Sequence, residues 1–294
     1  MHSQKIHNKK LILPVLIFLA GCLALAAVLY HSYRTNLKQV RAVTELNATT
    51  YAERLQNDMN RGVAITDTLE EIVLSENGKI DNFQKVAGNL MTDFVQSIQV
   101  APDGVVTDIY PEGGNEAGKI DLIHDESRGA ICRYGRDKNI VTMQGPFDLK
   151  QGGRGIAIRN PVYLECPDGT SAFWGFTIVI IRVPEVFEKS VQALTQFGYD
   201  YCLTKTVSPL SDDTEVVSSS GNILKEPITF EFEFCGSTFG LEVMPTDGWN
   251  HGWNILPQLV LGISIILLLT GLTVIVLVVE RHREILKKMA ITDP

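Results

Sequence analysis

Two arginines, an asparagine and a tyrosine fall within one stretch, QGGRGIAIRNPVY, residues 151–163. Arg154 and Arg159 are cations in an otherwise acidic region, and a guanidinium can grip a carboxylate or a phosphate with two parallel N–H donors. Asn160 and Tyr163 add polar groups beside them. Trp174 and Phe176, on the next apolar run, offer an aromatic surface, and Tyr110 completes the candidate ligand-binding set. On strand alternation Arg159, Pro161 and Tyr163 share one face of their strand, and Trp174 and Phe176 share one face of theirs. The plainer reading stays beside this one: Gly152-Gly153 makes a hairpin turn, one face packs in a core, and Arg159 pairs with a neighbouring acid.

Catalytic chemistry finds little support. His31, His124 and His251 are the histidines between the two long apolar runs, and the first and last abut those runs. GSTFG at 236–240 has the wrong spacing for a nucleophile elbow, and neither HExxH nor a Walker loop occurs. The two Asp-Gly turns lack the acidic periodicity of a calcium loop. Cys132, Cys166, Cys202 and Cys235 show no CxxC spacing, so neither a zinc site nor any other metal or cofactor is expected. These four thiols form one or two disulfides or stay reduced, and spacing does not choose between the two.

The elements that must hold the arginines follow from periodicity. Residues 31–75 carry Leu37, Val40, Val43 or Thr44, Tyr51, Leu55, Met59, Val63, Thr66 and Leu69 or Ile72 at a three-to-four spacing, which predicts a long stalk helix ended by Asn77-Gly78. Asp81 is the expected cap of a second helix, NFQKVAGNLMTDF. Short strands follow: VQSIQV and VVTDIY around Pro-Asp-Gly, then VTMQGPFDL, RGIAIRNPVYL and AFWGFTIVIIRV after a short helix in HDESRGAICRYGRDKN. A helix opening at Pro184 leads to DYCLTKT and EVVSS around an acidic loop at Asp212 and Asp213, and then to the hairpin ITFEFEFC/STFGLEVMP. The fold class is α+β: a stalk helix and two tandem lobes with antiparallel sheets.

Two uncharged runs bracket these elements, Leu11–Tyr30 and Ile255–Val279. A twenty-residue helix rises about 30 Å, the thickness of a bilayer core. Both read as transmembrane helices, and the first reads as an uncleaved anchor because its apolar run continues well past the LAGC box at Cys22. Lys5, Lys9 and Lys10 precede the first span, and Arg281, Arg283, Lys287 and Lys288 follow the second, which predicts both termini in the cytoplasm of a two-pass inner-membrane protein. Trp249 and Trp253 stand where interfacial aromatics are expected. Residues 31–254 carry 19 basic and 31 acidic side chains, a net charge of −12, which argues against nucleic acid as a partner. The expected boundaries are 1–10 cytoplasmic, 11–30 membrane, 31–254 outside (stalk 31–80, distal lobe 81–183, proximal lobe 184–250), 255–279 membrane and 280–294 cytoplasmic.

APDGVV, the YPEGGNEA loop, Gly145-Pro146, QGGRG, RNPVY and WGF together resemble the CHASE domain, an extracytoplasmic sensory module. The resemblance covers roughly residues 40–250 and is most specific over 98–187. It implies a stalk helix, two PAS-like lobes and a small-molecule ligand in the membrane-distal lobe. The last residues, ERHREILKKMAITDP, resemble the helix leading into a GGDEF diguanylate cyclase domain, which begins Thr-Asp-Pro-Leu-Thr-Gly-Leu. The resemblance therefore implies the input part of a bacterial diguanylate cyclase controlling cyclic di-GMP, ending where the catalytic domain starts, so that this fragment is itself no enzyme. It also implies a homodimer paired through stalk and signalling helices. The alternatives are the sensor of a histidine kinase, with a phosphoacceptor helix after residue 294, and a ligand-independent membrane scaffold.

Overall fold

The computed structural model describes residues 2–113, 118, 120–149, 152–250 and 253–292, without the side chains of 2–11, 288 and 290–292. Helix α1 runs His2–Ser75 with Pro14 inside it. The chain divides into two compact units, residues 1–41 with 249–294, and residues 42–248.

In the first unit the apolar part of α1 meets the closing helix α5, Ile255–Thr292. Two helices here are long and apolar enough to cross a membrane, Ile12–Ser75 and Ile255–Lys287. Their large side chains, Leu16, Leu23, Leu261 and Leu268 among them, stand exposed, as a lipid solvent requires. Glycine lets the pair approach: a Cβ on Gly21 would come within 2.9 Å of Ile266 Cγ1. The Trp253 ring meets Tyr33 edge-on at 5.0 Å, and the Arg41 guanidinium lies 4.6 Å from the centre of the Trp249 ring.

In the second unit α1 ends as its residues dictate. Asn77 and Gly78 take φ values of 52° and 87°, and the Gly78 N–H closes on the Val73 carbonyl at 2.8 Å. Helix α2, Phe83–Leu90, starts later than expected. Asn82 sits at its N-cap in the left-handed conformation with no side-chain cap, so Asp81 is not the cap. The Asp81 N–H donates instead to Glu76 Oε2 at 2.7 Å. A short amide such as Asn82 tolerates positive φ, and this moves the helix start past Asp81.

Strands β1 (Val95–Pro102) and β2 (Asp108–Tyr110), helix α3 (Gly129–Lys138), and strands β3 (Thr142–Asp148), β4 (Arg154–Glu165) and β5 (Ser171–Val183) form the first lobe. The sheet order is β2-β1-β5-β4-β3, antiparallel throughout. β4 and β5 are covered on both faces, which explains why they read as nearly continuous apolar runs. The second lobe follows a 3-10 turn, Glu185–Phe187, that Pro184 introduces, and helix α4, Glu188–Gln196. Its strands are β6 (Tyr199–Ser208), β7 (Ser211–Ser219), β8 (Ile228–Phe234) and β9 (Ser237–Pro245), in the order β7-β6-β9-β8. Asp212 and Asp213 lie inside β7 and not in a loop, because Pro209-Leu210 makes the turn between Ser208 and Ser211.

Two apolar cores result. The larger joins Tyr51, Leu55, Met59 and Leu69 of α1 to Ile98, Ile158 and Val179 of the first sheet and to Leu203 and Phe239 of the second. Fully burying each such side chain stabilises by about 1.5–3 kcal/mol. Of the two register alternatives near the top of this stripe, Thr44 is buried and Val43 is exposed. The smaller core, on the other face of the first sheet, packs Ile131 and Cys132 of α3 on Phe176, Ile178 and Ala101.

Candidate functional site on the five-stranded sheet

The seven expected ligand residues all belong to the first sheet, but it divides them between two faces. On β4 the alternation holds: Arg159 and Tyr163 turn toward α3, and Asn160 turns toward α1. The Asn160 Nδ2 donates to Glu70 Oε2 at 2.7 Å and to Asp67 Oδ1 at 3.4 Å. Burial holds the Asp67 carboxyl above its ordinary pKa.

On β5 the expected alternation fails. Val162 pairs with Gly175 and Tyr163 with Phe173, so Trp174 is an extra residue. Gly175 permits this bulge with φ of 151°, and a Cβ there would run into the Ala101 carbonyl. Trp174 therefore faces α1, where its Nε1 donates to the Gly78 carbonyl at 3.0 Å. Phe176 faces α3, fully buried and edge-on to Phe173 at 5.1 Å. The two aromatics do not share a face.

Tyr110 also lies with the α1-side residues. It pairs with Ile98 and packs beside Gly88 of α2. Arg154 stands at the start of β4, its Nη2 3.5 Å from the Pro146 carbonyl. Arg159, Tyr163 and Phe176 are thus brought together, and Tyr110, Arg154, Asn160 and Trp174 are not. The Tyr163 hydroxyl donates to the Arg136 carbonyl at the end of α3, and burial pushes its pKa up, so it remains a donor.

Arg159 is only 3% exposed, and among the described residues its Nε and Nη1 have no hydrogen-bond partner. The expected pairing with a neighbouring acid does not occur. Asp125 is the nearby acid, but its Oδ1 accepts from the Ser127 N–H at 2.9 Å, the Ser127 hydroxyl at 2.7 Å and the Arg128 N–H at 2.9 Å. Its Oδ2 faces Arg128 Nη1 at 3.5 Å. The Ser127 hydroxyl bond is the main reason that the Asp125 carboxyl sits below its ordinary pKa. Burial lowers the Arg159 pKa and raises that of the adjacent Cys132 thiol. The guanidinium starts from so high a value that it stays charged.

Two further polar atoms share this face. Thr142 pairs with Arg159 across β3 and β4, and its buried Oγ1 has no partner among the described residues. Gln144, two residues along β3, donates its Nε2 to the Ser127 carbonyl at 3.0 Å and leaves Oε1 buried without a donor. Thr142, Gln144, Asp125 and Ser127 escaped the sequence reading, since only the pairing of β3 with β4 and the seating of α3 bring them to Arg159. The alternating pattern TMQ on β3 was the one available signal.

Among the described residues no group of three or more His, Cys, Asp or Glu side chains is placed to hold a metal. The cysteines are free thiols. Gly114, Asn115, Glu116 and Ala117 of the YPEGGNEA loop, Gln151, His251, Asp293 and Pro294 lie outside the described residues.

The model of the CHASE domain matches residues 31–214. Among solved structures, an extracellular ligand binding receptor from Desulfohalobium retbaense shares 13% identity at a TM-score of 0.51, covering 68% of this chain and 39% of that one. The chain thus spans well under half of that receptor and shares its fold. The ligand-binding domain of the Campylobacter jejuni chemoreceptor Tlp3, in complex with 4-methylisoleucine, aligns at 11% identity and a TM-score of 0.47, covering 76% of this chain and 96% of that one. The ligand-binding domain of the Pseudomonas aeruginosa PAO1 amino acid chemoreceptor PctC, in complex with GABA, aligns at 12% identity and a TM-score of 0.43, covering 70% and 98%. No curated protein matches the chain. The family model takes in more than half of the sequence, from the stalk through the whole five-stranded sheet, and the chain belongs to the CHASE domain family of receptor sensor domains.

Proposed function

We propose that the chain is the input module of a two-pass membrane receptor that binds a small anion on the α3 face of the five-stranded sheet and passes the signal to a diguanylate cyclase. One observation carries the ligand class: Arg159 is buried with Nε and Nη1 unpartnered. An isolated buried cation costs several kcal/mol, and a carboxylate or phosphate offers two acceptors for that fork. Thr142 Oγ1 stands beside it as a further polar contact, and Phe176 supplies the apolar floor.

The two apolar helices bracket the sensor domain. The basic residues beyond each span favour an extracytoplasmic sensor with both termini in the cytoplasm. On this reading 81–183 is the membrane-distal lobe, 184–250 the proximal one, and two copies pair along stalk and signalling helices. An anion that binds one arrangement of the lobes ten times more tightly than another shifts the balance by about 1.4 kcal/mol. The Ala290-Ile291-Thr292-Asp293-Pro294 run favours the cyclase as output.

The ligand test is a thermal-shift screen of carboxylates and phosphates on the detergent-solubilised chain, beside Arg159→Met. At least one anion raises the Tm of the parent and leaves the variant unmoved. Equal stabilisation of both, or of neither, refutes the assignment. The output is read from the coding DNA past Pro294: Leu-Thr-Gly-Leu and a GGDEF loop in frame support the cyclase, and a phosphoacceptor helix replaces it with a kinase.

A further inference from the structure

The two lobes of the second unit leave a cleft of about 600 Å³ between them. One wall is Arg128, just before α3, with Gln144, Phe147 and Asp148 of β3, and the other is Val207 of β6, Leu210 of the turn and Glu215 of β7. Its volume falls in the range of small-molecule pockets. We propose that this cleft is a second ligand site, distinct from the Arg159 site, and that it takes an amphipathic organic cation such as an arylalkylamine.

The cleft is rich in acceptors. The Gln144 Nε2 donates to a carbonyl, which fixes the amide orientation and leaves Oε1 as the buried, unpartnered end. Glu215 takes Lys205 on Oε1 at 3.1 Å and keeps 30% of its side chain exposed in the cleft wall. Lys205 itself is fully buried behind Glu215 and donates to the carbonyls of Thr206 at 2.7 Å and Val207 at 3.2 Å, so it does not reach the cleft. Asp148 is exposed, and Arg154 opposite it on β4 turns to the Pro146 carbonyl. The cation among the lining residues, Arg128, lies against Asp125. A ligand that satisfies this set brings donors and positive charge.

The apolar lining asks for a hydrocarbon body. Leu210, Val207 and Phe147 are 57%, 41% and 36% exposed, and they flank the same opening. An aryl or alkyl group laid between them removes that surface from water. Because β3 belongs to one lobe and β6 and β7 to the other, such a ligand bridges the lobes.

The experiment is isothermal titration calorimetry on the full chain in detergent micelles with phenethylamine, tyramine and hexylamine, each beside its matched alcohol. At least one amine binds saturably, and its alcohol binds about tenfold or more weakly. Glu215→Gln weakens the amine by about tenfold. Val207→Trp, which fills the cleft from an exposed position and leaves Lys205 its partner, abolishes binding. Arg159→Met leaves amine binding unchanged, which separates this site from the anion site. The proposal is overturned if no amine binds, if Val207→Trp binds as the parent does, or if Arg159→Met removes amine binding.

Discussion

The two faces of the five-stranded sheet treat their buried polar groups differently. Toward α1 the groups are matched: Asn160 donates to Glu70, the Thr177 hydroxyl to the Thr66 carbonyl at 3.0 Å, and Trp174 to the Gly78 carbonyl. Toward α3, Arg159 Nε and Nη1, Thr142 Oγ1 and Gln144 Oε1 lack hydrogen-bond partners among the described residues. A satisfied buried network rigidifies its surroundings, and an unsatisfied one costs stability until something completes it. The α1 face therefore holds the helix to the sheet, and the α3 face is where the proposed anion would gain most by binding. The residue that separates them is Gly175, whose bulge sends Trp174 to one side and Phe176 to the other.

Breaking that separation has the largest effect. Gly175→Ala destabilises the chain by about 3 kcal/mol or more, through a forced positive φ and the collision with the Ala101 carbonyl. Thermal unfolding in detergent measures it, and an unchanged Tm removes the bulge from the explanation. Next come two substitutions of opposite sign on adjacent residues. Asn160→Ala leaves Glu70 without its donor, costs about 1–3 kcal/mol and leaves anion binding intact. Arg159→Met removes an uncompensated buried charge, leaves stability unchanged or raises it by up to about 2 kcal/mol, and abolishes anion binding. If both destabilise equally, the two faces are not functionally distinct. Trp174→Phe keeps the ring and loses its bond to Gly78, for about 1 kcal/mol.

The last prediction has no effect at neutral pH. Cys235, half-buried in the second lobe with Asp67 adding to the shift, has its pKa pushed up to about 12 from an ordinary value of 9.0, chiefly by burial. The folded thiol therefore holds its proton where the unfolded one has lost it. Its stabilising contribution is complete below the unfolded value and is lost as pH rises from about 9 toward 12, by about 1.4 kcal/mol per pH unit. Cys235→Ser removes that slope from alkaline unfolding curves. A slope that survives the substitution assigns it to another group.

Much of the architecture follows from sequence alone. The α1 stripe from Tyr51 to Leu69, the stop at Asn77-Gly78, the Pro-Asp-Gly turns and the strand runs are local patterns, set by backbone sterics and by the period of apolar residues. The two long uncharged runs need only length and composition to be read as spans. Arg159 was legible as an unusual cation, and its face was legible from β4 alternation.

Other features were decided by tertiary structure. Trp174 and Phe176 are two residues apart, and strict alternation puts them together. The close approach of the Ala101 carbonyl to Gly175 comes from pairing β5 with β1, strands far apart in sequence, so the bulge has no local signature beyond a glycine. Asn160 bonds to Asp67 and Glu70 because α1 brings both acids over it. Arg159 stands without a partner because Asp125, the acid placed to meet it, is consumed by its own turn with Ser127 and Arg128. Residue type and periodicity determined which groups carry charge and which way a strand alternates. Long-range packing decided which of those groups are satisfied, because a hydrogen-bond partner brought from a distant segment leaves no trace in the spacing around the residue it meets.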